Sequence, residues 1–253
     1  MEERVDRICA FIRQKVEKAG ADGIVVGVSG GVDSALVAAL CAKAVGKENV
    51  YGLILPEKAT TPQDAVSDAR EVASLFCGKE NVIDFTGVLK AFAEAMPDFA
   101  EGAMIPNGNL RARIRMCILY YYANKVGLLV AGTGDKSEIS LGYFTKFGDG
   151  GCDFLPIADL YKTEVREMAR FLEVPAQVAE KKSSPGLWVG HTAEGELGIG
   201  YEEIDALLKA VDAGEPLLEA AERLGMKKEL AQKLEKMNEA SAHKRAMPDI
   251  CWL

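Results

Sequence analysis

The stretch "VVGVSGGVDSALVAAL", residues 25–40, joins an apolar strand, a glycine turn and an apolar helix. In open α/β sheets, ligands bind beyond the carboxyl ends of the strands, where helix N-termini present free N–H groups to anions. Gly30 and Gly31 allow close approach of the backbone, and Ser29 and Ser34 add hydroxyl donors. The pattern predicts a phosphate site, although a tight turn capped by Asp33 would also fit these residues.

Asp33 distinguishes this turn from the common nucleotide-binding loop, in which a lysine followed by serine or threonine reaches the phosphates. No such lysine follows the glycines here, and an aspartate on its own would repel phosphate. Its carboxylate is a suitable Mg²⁺ ligand, and a bound Mg²⁺ would screen the carboxylate from the phosphates. We therefore interpret Asp33 as a metal ligand.

Short apolar runs alternate with helical patterns along the rest of the chain, which is typical of a parallel sheet covered on both faces. Strands are predicted at 23–29, 50–55, 81–85 and 127–132, and helices at 33–45, 62–77, 108–126, 160–172, 201–211, 215–224 and 226–239. The predicted fold is α/β, a doubly wound, Rossmann-like parallel sheet with helices on both faces, in a single domain over residues 1–253. Two long loops are expected at 97–107 and 182–200, the second as a glycine-rich lid.

Composition narrows the classes of function. The net charge of −8 over 253 residues argues against a general nucleic-acid surface. The sequence has no apolar run long enough for a membrane span, and its charged N-terminus does not resemble a secretory signal. The six cysteines are scattered without C-x-x-C spacing. We interpret most of them as small core residues in a reducing cytoplasm, not as zinc ligands.

A second polar stretch, residues 132–169, follows the last predicted strand and includes the turn "GDGG" at 148–151. Its polar residues of interest are Thr133, Glu138, Lys146, Asp149, Asp153 and Lys162. Taken one at a time, they fit a polar loop that leads into a helix. Together, the carboxylates, lysines and glycines indicate a site for anions and a metal.

The string "SGGVDS" (29–34) resembles the pyrophosphate-binding loop of the N-type ATP pyrophosphatases, which adenylate an acceptor with loss of pyrophosphate. The longer string "SLGYFTKFGDGGCDFLPIADLYKTEVR" (140–166) resembles one branch of them, the ammonia-dependent NAD synthetases, almost residue for residue. Further similarity lies in "NLRARIRM" (109–116), "ELGIGYEEID" (196–205) and "HKRAMP" (243–248). These blocks cover nearly the whole chain.

The resemblance implies an adenine nucleotide alpha hydrolase-like fold and a ligase that completes NAD biosynthesis. In this family, ATP activates the carboxylate of deamido-NAD as an acyl adenylate, and free ammonia then displaces AMP to form NAD. The implied cofactor is Mg²⁺, and ATP is the co-substrate. The resemblance also implies a cytoplasmic homodimer without a fused glutaminase domain, in which the helix around 108–126 lies at the interface.

The resemblance also assigns site residues. For ATP they are Gly27, Val28, Ser29, Gly30, Gly31, Val32, Asp33, Ser34, Thr133, Lys162 and Ser184. For deamido-NAD they are Arg113, Lys146, Asp153, His243 and Lys244. For Mg²⁺ they are Asp33 and Glu138. Lys162 is expected to neutralise charge that develops during catalysis, and Asp149 is our candidate acceptor for the proton that ammonia loses. Ser184 stands where the family more often has threonine.

Some of these residues also have ordinary structural interpretations. Arg111 and Arg115 share one helix face and Arg113 points elsewhere, a pattern that a solvated basic face would also give. His243 fits a surface histidine. Tyr143 fits core packing as well as stacking on a base, and the same holds for its neighbour Phe144. The apolar stripe of Ile114, Ile118, Leu119 and Tyr122 fits burial within one chain as well as a dimer interface.

Two other functions compete with amidation. A nucleotide-binding module without catalysis would need the glycine turn but not Glu138, Lys162 or the pair His243 and Lys244. A thiolating ATP pyrophosphatase would commonly carry paired cysteines or an extension that binds zinc or RNA. The residues present therefore favour the amidating enzyme.

Overall fold

Four parallel strands form the sheet at the centre of the computed structural model, which describes residues 1–182, 184, 186, 188 and 192–252. They are β1 (Gly23–Gly27), β2 (Val50–Ile54), β3 (Lys79–Val82) and β4 (Leu128–Ala131), in the order β3-β2-β1-β4. The chain runs outward from β1 to β3 and then crosses to the other side of β1 for β4. This reversal makes the β1–β4 pair the topological switch point, beside which such sheets bind ligands.

Helices connect and cover these strands. They are α1 (Glu2–Ala19), α2 (Val32–Val45), α3 (Gln63–Phe76), α4 (Thr86–Ala95), α5 (Met104–Val126), α6 (Lys136–Leu141), α7 (Lys162–Phe171), α8 (Ala176–Ala179), α9 (Ala193–Leu197), α10 (Tyr201–Asp212), α11 (Leu217–Arg223) and α12 (Lys228–Ala240). Among the helices that the structure describes, none is long and apolar enough to cross a membrane.

The side chains of β1 alternate between two cores. Ile24 and Val26 lie in a core shared with α1, α2, α3, α7 and α8, whereas Val25 lies in one built with α4 and α5. All three side chains are fully buried. A strand that is apolar on both faces requires helices on both sides, and this arrangement confirms the predicted doubly wound fold.

The predicted boundaries around β3 differ from those in the structure. The strand lies at 79–82 instead of 81–85. It is at the edge of the sheet, and its residues are exposed or half-buried. An edge strand needs no continuous apolar run, so its position is weakly marked in the sequence. Phe85, which made 81–85 resemble a strand, is instead the buried N-cap of the unpredicted helix α4. Similarly, α5 begins at Met104, inside the predicted loop 97–107.

Helices α9 to α12 form a third apolar cluster, which Leu141 of α6 joins. The predicted loop 182–200 is therefore partly wrong, since it contains α9. Thr192 caps this helix by accepting a hydrogen bond from the Gly195 N–H at 3.2 Å, and Leu197 and Ile199 are buried in the cluster. Residues 183, 185, 187 and 189–191 of that loop lie outside the described part of the chain.

The cysteines divide between core and surface. Cys9, Cys41 and Cys77 are buried as predicted, and Cys152 is half-buried. Cys117 and Cys251 are exposed, so the core packing expected for most of the cysteines does not include these two. Cys117 lies on α5 away from the buried stripe, and Cys251 lies near the C-terminus, where few neighbours can cover it.

This division predicts the reactivity of the thiols. Burial raises the pKa of Cys77 to about 12 and also raises that of Cys41. In native protein, an alkylating reagent should modify Cys117 and Cys251 at least about 100-fold faster than Cys41 and Cys77. Peptide mass mapping over time measures the rates, and urea-unfolded protein is the control in which all the cysteines react. Labelling of native Cys41 as fast as Cys251 would contradict the packing of α2.

Candidate active site

A cleft of about 710 Å³ opens at the carboxyl ends of β1 and β4, at the switch point of the sheet. The predicted ATP residues 27–34, Thr133 and Ser184 all line it. Glu138, Asp149 and Lys244 line it as well. Residues up to about two hundred positions apart in the chain therefore line one cleft. Parallel strands contribute to this arrangement because their carboxyl ends lie at the same edge of the sheet.

The glycine turn at the end of β1 is held by its own hydroxyls. Ser34 Oγ accepts from the Ser29 N–H at 3.1 Å and donates to the Gly31 carbonyl at 3.0 Å. Gly30 has φ +80°, and a Cβ there would overlap the Ala65 carbonyl oxygen, so glycine is required. The N-cap of α2 is Gly31, which has no side chain to bind the first N–H groups of the helix, so these groups can bind an anion.

Asp33 lies in the first turn of α2 and does not cap it, so the alternative of a capped tight turn is wrong. Its carboxylate instead contacts Lys162 Nζ at 2.7 Å. Asp135 and Glu138 reach the same ammonium at 2.8 Å and 2.9 Å. We call these four residues the carboxylate–lysine cluster. With three carboxylates around one ammonium, the cluster carries an excess of negative charge when it is fully ionised.

The four side chains differ in access to the cleft. Those of Lys162 and Asp135 are fully buried, whereas those of Asp33 and Glu138 each keep 21% of their surface exposed. In this arrangement Lys162 is a counter-ion behind the two accessible carboxylates and does not line the cleft. The ring of Tyr201, 5.2 Å from Lys162 Nζ, covers the ammonium further.

Asp135 is a cluster member that the sequence analysis missed. It is the N-cap of α6, where its Oδ1 accepts from the Glu138 N–H at 2.8 Å and Glu138 Oε2 accepts from the Asp135 N–H at 3.4 Å. The spacing D-x-x-E that marks such a reciprocal cap is visible in "DKSE", residues 135–138, and could have identified it. The cap fixes Glu138 on the first turn of α6.

Burial and mutual repulsion control protonation in the cluster. Burial raises the pKa of Asp135 to about 6 and raises that of Glu138 well above its usual range. Burial by itself would lower the pKa of Lys162, but the three carboxylates outweigh it and raise that pKa. Lys162 is therefore charged near neutral pH, while the carboxylates around it favour an additional proton or a second cation.

The cluster fits Mg²⁺ as that second cation. No group of three ligand side chains among the described residues forms a complete metal site. Mg²⁺, however, commonly binds through one or two carboxylates together with phosphate oxygens and water. Asp33 and Glu138 supply two accessible carboxylates beside the glycine turn. The donor set and its excess charge suit a hard cation.

Part of the cleft wall is formed by Asp149, in the turn "GDGG" that follows α6. Its Oδ1 accepts from the Thr145 N–H at 2.9 Å, which holds the "GDGG" turn in place. Although Asp149 is accessible from the cleft, the surrounding protein desolvates its carboxyl and raises its pKa. Lys244 also lines this wall and donates to the carbonyls of Gly142 and Phe144 at 2.8 Å and 2.9 Å.

The other residues assigned to deamido-NAD do not line the cleft. Arg113 donates to the Lys146 carbonyl at 3.3 Å, and Lys146 Nζ donates to the His243 carbonyl, so these three lie together on the outer surface. Asp153 is engaged elsewhere, accepting from the Val130 N–H at 2.7 Å and the Tyr120 hydroxyl at 3.1 Å. The structure therefore brings Lys244 to the cleft and leaves the other four outside it.

Arg115 is a cleft-lining cation that the sequence analysis did not assign. Its Nε donates to the Leu55 carbonyl at 3.1 Å, and its guanidinium lies 4.8 Å from the centre of the Phe85 ring. Arg111, on the same face, pairs with the buried carboxylate of Glu57 at 3.3 Å. The face is therefore not simply solvated. Burial lowers the pKa of Arg115 to about 10, so it remains charged near neutral pH.

Known proteins resemble this chain over nearly its whole length. The profile of the NAD synthase family matches residues 4–248. The NH(3)-dependent NAD(+) synthetase of Methanococcoides burtonii is 49% identical over 98% of this chain and 94% of the relative. The corresponding protein of Archaeoglobus fulgidus is 47% identical over 98% and 96% of the two chains.

Solved structures agree with these relatives. An NMN synthetase from Francisella tularensis superposes with a TM-score of 0.87 at 32% identity, covering 99% of this chain and 98% of that one. An NH3-dependent NAD synthetase from Campylobacter jejuni superposes with a TM-score of 0.81 at 33% identity over 99% of both chains. Because the family profile and close relatives match almost from end to end, this chain belongs to the NAD synthase family.

Proposed function

We propose that this chain is a ligase that amidates deamido-NAD with free ammonia at the expense of ATP, releasing AMP and pyrophosphate. The observation that carries the proposal is the joining of a phosphate-binding glycine turn to a carboxylate–lysine cluster in one cleft. The proposal is also supported by relatives above 45% identity that are named NH(3)-dependent NAD(+) synthetases.

The first step requires charge compensation. A carboxylate oxygen of deamido-NAD attacks the α-phosphorus of ATP, and the bond from that phosphorus to pyrophosphate breaks. Residues 29–34 bind the departing pyrophosphate through N–H and hydroxyl groups, and Asp33 and Glu138 are the residues that would hold Mg²⁺. The bound ion would supply positive charge against the phosphates. Lys162 keeps the two carboxylates oriented and offsets part of their charge.

The second step requires a proton acceptor. The lone pair of ammonia attacks the acyl carbon, AMP leaves with the bridging oxygen, and the nitrogen loses a proton. Asp149 faces the cleft, and its raised pKa makes its carboxylate a stronger base than an aspartate of ordinary pKa. We assign the proton acceptor to Asp149 on these grounds.

Replacing Asp149 with Asn should lower ammonium-dependent turnover by about 100-fold, since general base catalysis contributes on the order of 10²–10⁴. Exchange of labelled pyrophosphate into ATP, which reports adenylate formation alone, should fall much less. The matched control is Asp159→Asn, whose carboxylate is 99% exposed on the surface and should leave both rates unchanged. An equal loss of turnover and of pyrophosphate exchange in Asp149→Asn would contradict the assignment of Asp149 as the proton acceptor.

Product analysis tests the function itself. The chain, ATP and Mg²⁺ are incubated with deamido-NAD or with the corresponding mononucleotide acid, and with ammonium or glutamine. We expect NAD from deamido-NAD and ammonium, and no product with glutamine as nitrogen source. The mononucleotide arm is included because the Francisella structure is named an NMN synthetase. Product only from the mononucleotide would overturn the assigned substrate, and glutamine-driven turnover would overturn the assigned nitrogen source.

We infer that the chain acts as a homodimer in the cytoplasm. Of the stripe that fits either burial or an interface, Ile114 is buried against the sheet, whereas Ile118, Leu119 and Tyr122 are half-buried. Other apolar residues of α5 are exposed instead, notably Ile105 at 66% and Tyr121 at 62%. A partner that covered α5 would also adjoin Arg113, one of the assigned residues that lie outside the cleft. A reducing cytoplasm is supported by the free cysteines.

A further inference from the structure

Helix α10 reaches the carboxylate–lysine cluster from the third apolar cluster of the molecule. Its Asp205 is 1% exposed, although nothing in the assigned chemistry uses this carboxylate. Asp205 Oδ2 accepts from the Thr163 N–H at 2.8 Å, and its Oδ1 accepts from the Ser137 hydroxyl. A buried carboxylate is costly unless it is hydrogen-bonded, so these two hydrogen bonds indicate what Asp205 does.

Both hydrogen bonds lead to the cluster. Ser137 Oγ, which donates to Asp205, accepts in turn from the Lys162 N–H at 3.0 Å. Asp205 thus holds the first two N–H groups of α7, one directly and one through Ser137. The same serine is adjacent to Glu138 on α6. One carboxylate therefore fixes the backbone from which Lys162 and Glu138 extend.

A second contact from α10 ends on the Lys162 ammonium. Tyr201, one turn before Asp205, is fully buried and places its ring 5.2 Å from Nζ. Its hydroxyl has no hydrogen-bond partner among the described residues, so the ring accounts for this contact with the cluster. Helix α10 is therefore linked to both ends of Lys162, to its backbone N–H from Asp205 through Ser137 and to its ammonium through the Tyr201 ring.

We propose that Asp205 is a positioning residue, which holds Lys162 against Asp33, Asp135 and Glu138 by binding the N-terminus of α7 and the Ser137 hydroxyl. A carboxylate is required because both partners donate, and a carboxylate accepts at both oxygens. The carboxylate is also favoured at a helix N-terminus by the dipole of α7. Asparagine would present an NH₂ group to one of the two donors and would lose that bond.

The expected consequence follows from competition at the cluster. Lys162 contacts Asp33 and Glu138, the two carboxylates that would hold a divalent cation, so a loosened Lys162 leaves less positive charge beside them. Asp205→Asn should therefore tighten binding of the cation while lowering turnover. A general structural defect would instead weaken cation binding and lower turnover together. The turnover part of this expectation rests on the proposed function, whereas the binding part does not.

The test measures Mn²⁺ affinity by electron paramagnetic resonance, with a saturating ATP analogue that has a methylene bridge between the α and β phosphorus atoms. We expect Asp205→Asn to lower the Mn²⁺ dissociation constant about threefold or more, as loss of a nearby positive charge should. In a Lys162→Met background, the same substitution should change Mn²⁺ affinity by less than about twofold, since no ammonium remains to be positioned. The control is Glu202→Gln, also between α10 and α7 but 66% exposed and paired with Arg166, which should leave affinity unchanged.

Each outcome decides the proposal. Tighter Mn²⁺ binding that depends on Lys162 supports it, and so does the same pattern in the milder variant Ser137→Ala if Asp205→Asn fails to fold. An unchanged affinity in a folded Asp205→Asn protein, or an equal change in both backgrounds, would overturn it. If the Mn²⁺ affinities of the single and double variants behave as expected but the unsubstituted protein forms no NAD, the positioning role holds and the proposed function fails.

Discussion

Asp33→Asn is expected to lower turnover by about 10²–10³-fold without unfolding the protein, the range measured when one electrostatic contact to a transition state is removed. Asp33 lies at the junction of the glycine turn and the carboxylate–lysine cluster, 2.7 Å from Lys162. Its carboxylate is partly exposed to the cleft and not part of the core, so the loss should be catalytic. Glu138→Gln should behave similarly, since it is the second accessible carboxylate.

Turnover as a function of Mg²⁺ concentration, with thermal melting of each variant, measures the effect. The matched control is Asp64→Asn, because Asp64 occupies the first turn of α3 as Asp33 does in α2, but is 69% exposed and paired with Lys181. It should change turnover by no more than about twofold, as expected for a screened surface pair. A wild-type rate for Asp33→Asn at limiting Mg²⁺ would show that Asp33 is not a metal ligand.

Lys162→Met should destabilise the fold by about 3–5 kcal/mol, the usual cost of leaving buried charges without their partner. The variant leaves three carboxylates together with no cation. The loss of unfolding free energy should increase as the pH rises. Without Lys162 the carboxyl pKa values rise further above those of the unfolded chain, so the folded variant binds more protons and loses stability as pH increases.

Urea unfolding at pH 5 and pH 8, in the absence of divalent cations, measures this dependence. Lys136→Met is the control, because Lys136 also contacts two carboxylates, but one of them, Asp159, is 99% exposed. Lys136→Met should lower the free energy of unfolding by no more than about 1 kcal/mol at either pH, as for exposed ion pairs in general. A Lys162→Met protein as stable at pH 8 as the parent would contradict the described ion pairs.

The parts of this molecule that the sequence predicted are those with local patterns. The apolar runs of β1 and β2 and the glycine turn are readable because strand burial on both faces and close backbone approach each demand particular residue types nearby in sequence. The edge strand β3 was misplaced for the opposite reason, since half-exposed residues carry no such pattern.

Contacts across long sequence distances were not readable. Asp205 binds Ser137 across 68 positions, and Lys162 meets Asp33 across 129. Periodicity places each residue on a helix but does not say which helices meet. The expectation that Lys162 contacts ATP came from resemblance alone, and the structure adds that its ammonium is fully buried behind two carboxylates. The predicted loop 182–200 missed α9 because the buried residues of this short helix, such as Leu197, are spaced among glycines.

Transfer of oxygen from deamido-NAD to AMP tests the proposed mechanism most directly. Deamido-NAD labelled with ¹⁸O in its nicotinate carboxylate is incubated with the chain, ATP, Mg²⁺ and ammonium, and the products are analysed by mass. If the carboxylate attacks the α-phosphorus and ammonia then displaces AMP, one labelled oxygen must leave with AMP and the other must remain in the amide of NAD. Label in inorganic phosphate or pyrophosphate, or AMP without label in a reaction that yields NAD, would contradict the account.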